Sequence, residues 1–414
     1  MFRARQAWMS APAQAVSRLL AGKWLPGLSA GAGLLLASCS GGFSPSDVWS
    51  SMSAPAQPAP PPESSAAIGS GRVKVALILP LSATGNAGLA AQSMRNGAEL
   101  ALAEFNNPDL QLLVKDDAGS APGAQQAAQQ ALDEGVEIIL GPLFAPSVGP
   151  VGQLARARGV PVIAFSTDAN VAARGVYLLS FLPESDVDRI VGYAASQGKK
   201  SLAALMPDNA YGTVVEGAFK QAVARHGGRI LALQHYPLDR TQMQGPVRAV
   251  AQAANGVDAV FVPDGADAVP AVGQALIGNG IDPKRVQLLG TGLWEDPQIF
   301  STPALDGGWY AGPDSTGFRN FSARYRTRYG QDPVRTATLA YDAVALVAAL
   351  VKTQGPQRFS EQVLTNASGF TGIDGLFRFR PDGTNQRGLS VLRVTPSGGQ
   401  VISPPPKAFS NSGT

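Results

Sequence analysis

The chain has 414 residues, 45% of them hydrophobic and 15% charged, which is long enough for two globular domains and too apolar for an intrinsically disordered protein. One cysteine and two histidines exclude a disulfide framework and argue against zinc enzymes and Cys–His hydrolases. Four basic residues and no acid precede Cys39, so removal of that segment changes the net charge from +3 to −1 and leaves no electrostatic reason to expect nucleic-acid binding.

The first 38 residues have the pattern of a bacterial lipoprotein signal peptide. An apolar run at residues 25–37 is too short to span a membrane and ends in LASC at residues 36–39, which resembles a lipobox. We therefore predict lipidation of Cys39 and a lipid anchor on the periplasmic side of the cell envelope. An ordinary signal peptide with a chance cysteine is the alternative. Ser40 favours the outer membrane over the inner one, by resemblance to Gram-negative lipoproteins.

Residues 39–71 are rich in Pro, Ala and Ser, with PAPPP at residues 58–62. This composition predicts a partly extended tether that holds the folded part away from the membrane. Residues 403–414 are expected to form a disordered tail.

The folded part begins with an apolar run at residues 73–79, which is typical of a central strand in a parallel sheet. Strands alternate with helices from there, with further strands predicted at residues 110–115, 136–140, 160–165 and 177–181. The alternation restarts with strands at residues 202–206, 229–236, 257–262 and 286–289. This pattern predicts an α/β fold of two doubly wound parallel-sheet lobes with a boundary near Glu184. Residues 376–380 and 389–394 are interpreted as a hairpin that closes the second lobe.

Several short sequences resemble the type I periplasmic binding proteins of the leucine/isoleucine/valine-binding branch. They are LPLSATG at residues 79–85, NGAELA at 96–101, KDDA at 115–118, GP at 141–142, GVPVI at 159–163, YG at 211–212 and YDA at 341–343. The resemblance implies two lobes joined by a three-crossover hinge, with crossings near residues 184, 312 and 372. Lobe 1 is then residues 72–184 and 313–371, and lobe 2 is residues 185–312 and 372–402.

The resemblance also implies a small ligand, an amino acid or an amide-like molecule, in the cleft between the lobes and delivery to an ABC permease. Backbone N–H groups at helix N-termini, together with Ser and Thr hydroxyls, suit the carboxylate of such a ligand. The candidate ligand-binding residues are Ser82, Thr84, Asn86, Leu143, Ser166, Thr167, Tyr211 and Trp294. The hydroxyl residues can equally be helix caps and turn formers, and the aromatic residues can be part of the core.

One position departs from the pattern of this branch. Gly292 stands where the resemblance implies an acid for the ligand ammonium, and Asp208, Asp264 and Glu295 are the alternatives. A second branch of the fold, the penicillin-binding-protein activator lipoproteins, is similar in its lipobox and tether and implies contact with a peptidoglycan synthase. No constellation of residues indicates an enzyme, a metal site or a cofactor.

Overall fold

The computed structural model describes residues 67–105, 108–237, 239 and 242–409. The predicted signal peptide, Cys39 and most of the predicted tether lie outside the described residues. None of the described helices combines the length and the apolar character that crossing a membrane requires.

The strands of the first sheet and the helices between them come from residues 67–178. These elements are β1 (Ala67–Ile68), β2 (Val73–Leu79), α1 (Gly85–Glu104), β3 (Leu110–Asp116), α2 (Ala121–Asp133), β4 (Ile138–Leu140), α3 (Ala145–Ala157), β5 (Val162–Ala164) and β6 (Val176–Leu178). The sheet has the order β1-β3-β2-β4-β5-β6 and is parallel apart from β1.

Most of the second sheet and its helices come from residues 183–312, which follow the first sheet directly in the chain. Its elements are α4 (Pro183–Ser196), β7 (Ser201–Pro207), α5 (Ala210–Arg225), β8 (Arg229–Tyr236), α6 (Gln244–Gln252), β9 (Ala259–Phe261), α7 (Val269–Gly278), β10 (Gln287–Gly290), α8 (Pro297–Phe300) and β11 (Trp309–Gly312).

The last part of the chain packs a helix on the first sheet and adds two strands to the second. Its elements are α9 (Ser315–Tyr329), α10 (Ala337–Thr353), α11 (Glu361–Leu364), β12 (Phe370–Gly372), β13 (Gly375–Phe379), β14 (Asn385–Arg387), β15 (Ser390–Thr395) and β16 (Gly398–Ser403). The second sheet therefore has the order β16-β15-β11-β10-β9-β7-β8, with β15 and β16 antiparallel to their neighbours.

Both sheets are covered by helices on both faces, which confirms the predicted doubly wound fold. Successive residues of a strand point to opposite faces. In β2, Val75, Leu77 and Leu79 pack with α1 and α10, whereas Ala76 and Ile78 pack with α2 and α3. The second sheet packs α6 and α7 on one face and α4 and α5 on the other.

The predicted hairpin of residues 376–380 and 389–394 is wrong. Strand β13 pairs with β12 and β14 in a separate three-stranded antiparallel sheet, whereas β15 pairs with β11. Phe377 and Phe379 belong to the core of the first sheet, and the Asn385 amide donates to the backbone of β6 and of Ser180. This segment therefore packs with lobe 1 rather than with lobe 2.

The chain passes between the two lobes at residues 179–183, 312–315 and 387–390. The sequence placed the crossings near residues 184, 312 and 372, and the third crossing in the structure begins fifteen residues after residue 372. The first crossing leaves the carboxyl end of β6 and the second leaves the carboxyl end of β11. The carboxyl edges of both parallel sheets therefore lie on the hinge side of their lobes, where ligands bind in open α/β folds.

Two predicted flexible segments are partly ordered. Ala67 and Ile68, placed in the tether by composition, pair with Leu113 and Leu112 at the edge of the first sheet. Residues 403–409 do not form a free tail: Phe409 is only 9% exposed and stacks 4.6 Å from the Arg378 guanidinium on lobe 1. The C-terminal segment thus leaves lobe 2 through β16 and returns to lobe 1.

Candidate functional site

In lobe 1, the candidate residues after β2 lie at an exposed edge. Ser82, Thr84 and Asn86 are all exposed, and Thr84 is the N-cap residue of α1 but makes no side-chain cap hydrogen bond. Ser82 donates its backbone N–H to Asp116 at 3.2 Å. Hydrogen bonds from Ser82 and from nearby backbone amides lower the pKa of Asp116, although partial burial opposes them.

The candidate residues after β4 and β5 lie at the same edge of the first sheet, at the ends of the two strands next to β2. Leu143 is partly buried against the core, and the N-terminus of α3 beside it again has no side-chain cap. Ser166 is buried and its hydroxyl accepts the Asp168 N–H at 3.1 Å, which is the role of a turn former. Thr167 is exposed at the same turn.

In lobe 2, Tyr211 lies in the first turn of α5. The Asn209 side chain caps this helix by accepting the Gly212 N–H at 2.9 Å. The Tyr211 hydroxyl and the Thr291 hydroxyl share a hydrogen bond of 3.2 Å across the ends of β7 and β10. Burial raises the pKa of Tyr211 far above its ordinary value, and the nearby carboxyls of Asp186, Asp264 and Glu184 add to the rise.

The space beside Gly292 is occupied by an acid from another element. The Asp186 carboxylate accepts the Gly292 N–H at 2.9 Å, and a Cβ placed on Gly292 would meet the same oxygen at 3.1 Å. Burial raises the pKa of Asp186 to about 7, while the Gly292 hydrogen bond and the charge of Arg387 act in the opposite direction. Nothing in the sequence near residue 292 indicates this acid, because it comes from the first turn of α4.

Of the three alternative acids, Asp264 lies near Tyr211. Asp264 accepts a hydrogen bond from the Tyr236 hydroxyl at 2.6 Å, and its charge adds to the rise in the pKa of Tyr211. Glu295 accepts the Tyr310 hydroxyl, and this bond commits it to the packing of β11. Asp208 is exposed after β7.

Two carboxyl groups, one on each lobe, interact electrostatically. Burial raises the pKa of Glu184, and the charge of Asp168 on the opposite lobe adds to the rise. The charge of Glu184 in turn adds to the rise in the pKa of Tyr211. Asp168, Glu184 and Tyr211 therefore connect the loop after β5 electrostatically with the wall of lobe 2.

The structure corrects one candidate. Trp294 is fully buried, and its indole N–H donates to the carbonyl oxygen of Val262 at 3.0 Å. The ring fills the space over Gly290 and Gly308, where a Cβ would lie 2.2 and 2.8 Å from ring atoms. A large aromatic ring with glycines on either side is core packing of the second sheet rather than a cleft wall.

A buried polar group that the sequence did not indicate lies at the hinge. Arg387 is 5% exposed, donates to the Ser180 carbonyl at 2.8 Å and stacks 4.5 Å from the Phe181 ring. Asp342 accepts the Ile373 N–H at 2.8 Å, and burial raises its pKa to about 7. These residues join the first and third crossings. Within the described part of the chain no cluster of His, Cys, Asp and Glu has the arrangement of a metal site.

Two curated relatives align with part of the chain. Leu/Ile/Val-binding protein homolog 6 of Brucella melitensis is 25% identical over 230 residues, which is 53% of this chain and 58% of that protein. Penicillin-binding protein activator LpoA of Vibrio cholerae is 26% identical over 182 residues, which is 42% of this chain and 29% of that protein. The chain thus spans little more than half the length of the first relative.

Solved structures match a larger share of the chain. A structure named for a branched-chain amino acid ABC transporter of Rhodospirillum rubrum has a TM-score of 0.72 at 21% identity, over 80% of this chain and 99% of that one. An ABC-transporter solute-binding protein of Rhodopseudomonas palustris, in complex with 3,4-dihydroxybenzoic acid, has a TM-score of 0.60 at 21% identity over 82% of this chain and 98% of that one. At these identities the likeness establishes the fold alone.

A family model covers most of the chain. The model, described as periplasmic binding protein, matches residues 72–400, which include both parallel sheets and all three crossings. The chain therefore belongs to the periplasmic binding protein family.

Proposed function

We propose that this protein is a solute-binding protein of the branched-chain amino acid type, which binds a small polar ligand in the interlobe cleft for an ABC transporter. Lipidation of Cys39 would anchor it on the periplasmic side of the cell envelope, with the outer membrane favoured over the inner one. The family match and the fold of its structural neighbours support this assignment.

This proposal rests on one observation. Polar groups from the carboxyl edges of both parallel sheets lie together where the lobes meet. Beyond the effect of burial, the charge of Asp168 in lobe 1 raises the pKa of Glu184 in lobe 2, and the charges of Asp186 and Glu184 raise the pKa of Tyr211. A buried group of acids and hydroxyls costs folding free energy unless a partner compensates it. Its position at the carboxyl edges of the two sheets is where ligands bind in open α/β folds.

The two walls differ in charge, which favours a ligand with an amine at one end and an anionic or polar group at the other. The N-terminus of α1 in lobe 1 lacks a side-chain cap, so its first-turn N–H groups are available to an anion. Asp186 in lobe 2 lies in the space that an acidic side chain at residue 292 would occupy. We propose that Asp186, with Tyr211 and Thr291, accepts the ligand ammonium.

Thermal unfolding of the purified protein against a panel of amino acids, amides, benzoates and peptidoglycan fragments tests this proposal. A ligand at about 100 times its Kd should stabilise the protein by about 2.7 kcal/mol, a shift of a few degrees. Stabilisation by one class of amine-bearing ligand supports cleft binding. Stabilisation by benzoates alone would contradict the ammonium role of Asp186, and no shift with any compound would count against solute binding.

The alternative function is activation of a penicillin-binding protein through protein–protein contact in peptidoglycan synthesis. The alignment with LpoA, a protein named for that activity, favours it over other interaction roles. Capture of a peptidoglycan synthase by the full-length protein, with a rise in the rate of glycan polymerisation or cross-linking, would support this function. Capture without any change in rate would count against it.

A further inference from the structure

A second groove lies between the lobes and shares Glu184 with the proposed cleft. It has a volume of about 650 Å³ and is formed by α4 and α5 of lobe 2, by β14 and its preceding turn on lobe 1, and by the C-terminal segment. Tyr211, Thr291, Ser82 and Ser166 are not among its lining residues. A volume of this size is in the range of small-molecule sites.

The groove is lined by four arginines, and three of them are not neutralised by a carboxylate. Arg225 pairs with Asp188. Within the described residues, Arg189, Arg380 and Arg387 form no ion pair. Arg189 instead directs its guanidinium to uncharged oxygens, the Leu389 carbonyl at 2.8 Å and the Ser403 hydroxyl at 2.7 Å.

Arg387 is the most unusual of the three. It is 5% exposed, yet its two terminal nitrogens have no hydrogen-bond partner among the described residues. A buried guanidinium with unsatisfied donors costs free energy in the folded protein. Three carboxyl groups act from a distance to raise the pKa of Arg387, those of Asp374, Asp342 and Asp186. None of the three forms an ion pair with Arg387.

Three acids also line the groove, so its four arginines exceed its acids by one charge. Asp382 accepts the N–H and the hydroxyl of Thr384 at 2.8 and 2.7 Å, so its oxygen is committed to a turn. Burial raises the pKa of Glu184, and this carboxyl forms no ion pair within the described residues. Arg380 is exposed at the rim of the groove.

We infer that this groove is a second ligand site, which takes a small anion with at least two carboxylate or phosphate groups. Guanidinium groups match the planar geometry of such oxygens and bind them by paired, charge-assisted hydrogen bonds. Because its walls come from both lobes, an occupant contacts both sides of the hinge.

Isothermal titration of the full-length protein with citrate and with pyrophosphate, at constant ionic strength, tests the inference. We expect saturable binding of at least one of the two anions. Arg380→Gln at the rim should weaken that binding at least about fivefold. Arg248→Gln, an exposed arginine on α6 outside the groove, should leave it unchanged. Arg387→Gln should also weaken binding, but it can disturb the hinge, so Arg380→Gln decides the question.

Three results would overturn the inference. One is the absence of saturable binding of either anion up to roughly 10 mM. Another is equal affinity in the wild type and in Arg380→Gln. A third is loss of anion binding in Tyr211→Phe, since this would place the anion in the cleft and not in the groove.

Discussion

Asp186 is the residue on which the proposed amine recognition depends, and its pKa of about 7 makes that recognition sensitive to pH. An ammonium needs the ionised carboxylate, so affinity for an amine ligand should rise between about pH 6 and pH 8. Asp186→Asn should weaken binding about tenfold and abolish the pH dependence. Titration calorimetry at both pH values measures this, with the exposed Asp306→Asn as the control. Equal affinity at both pH values in the wild type would contradict this role.

Asp342 makes a separate prediction about stability. Its pKa in the folded protein is about 7, well above its value in the unfolded chain, because burial disfavours the charged form. The unfolded state therefore loses this proton first, and the stability contributed by the neutral group falls as pH rises from about 4 to 7. Asp342→Asn should raise the melting temperature more at pH 8 than at pH 5. A difference independent of pH, or the same difference in the exposed Asp332→Asn, would contradict this account.

The sequence predicted candidate site residues at positions where polar side chains directly follow a strand. Tyr211, Ser166 and the loop at Ser82 lie at strand ends, as the alternation of strands and helices indicated. It could not predict Asp186, which reaches Gly292 across 106 residues of chain, because only tertiary packing brings the two together. Trp294 was misassigned for the same reason: its burial depends on Gly290 and Gly308 rather than on its own neighbours in sequence.

At the scale of single elements, the cap of α5 connects stability with the site. Asn209→Ala removes the acceptor for the Gly212 N–H and should lower the free energy of unfolding by about 1 kcal/mol, measured by urea denaturation. Because Tyr211 lies in that first turn, ligand affinity should fall as well. Ser120→Ala removes the equivalent cap of α2, away from lobe 2, and should lower stability without changing affinity. Equal effects of both variants on affinity would contradict the local role of Asn209.

Element type was easier to predict than element pairing. Apolar runs such as β2 and β7 are buried on both faces, and their composition leaves few alternatives to a central parallel strand. Strand β13 has the same alternating pattern whether it pairs with β14 or with β15. Its partner is decided by Phe377 and Phe379, which fill the core of lobe 1 beside Tyr177, and this contact has no signature in sequence.

At the scale of the whole molecule, the C-terminal segment should restrain the hinge. Phe409 fixes the end of lobe 2 to lobe 1, and the Pro406 ring lies 3.4 Å from the Cβ position of Gly388 in the third crossing. Phe409→Ala, or a chain that stops at Ser403, should exchange amide hydrogens faster in β12–β14 and have a larger radius of gyration in solution. A chain that stops at Phe409 is the matched control. Unchanged exchange and size in the first two variants would show that the contact does not restrain the lobes.

The contact between Asp186 and Gly292 also affects how relatives of this protein should be compared. An alignment column at residue 292 contains glycine here, and by itself that column indicates loss of amine recognition. The carboxylate is in another column, 106 positions upstream, and occupies the same volume. Ligand class in homologous sequences should therefore be inferred from the two columns together, with an acid in either one and a small residue opposite it counted as the same site.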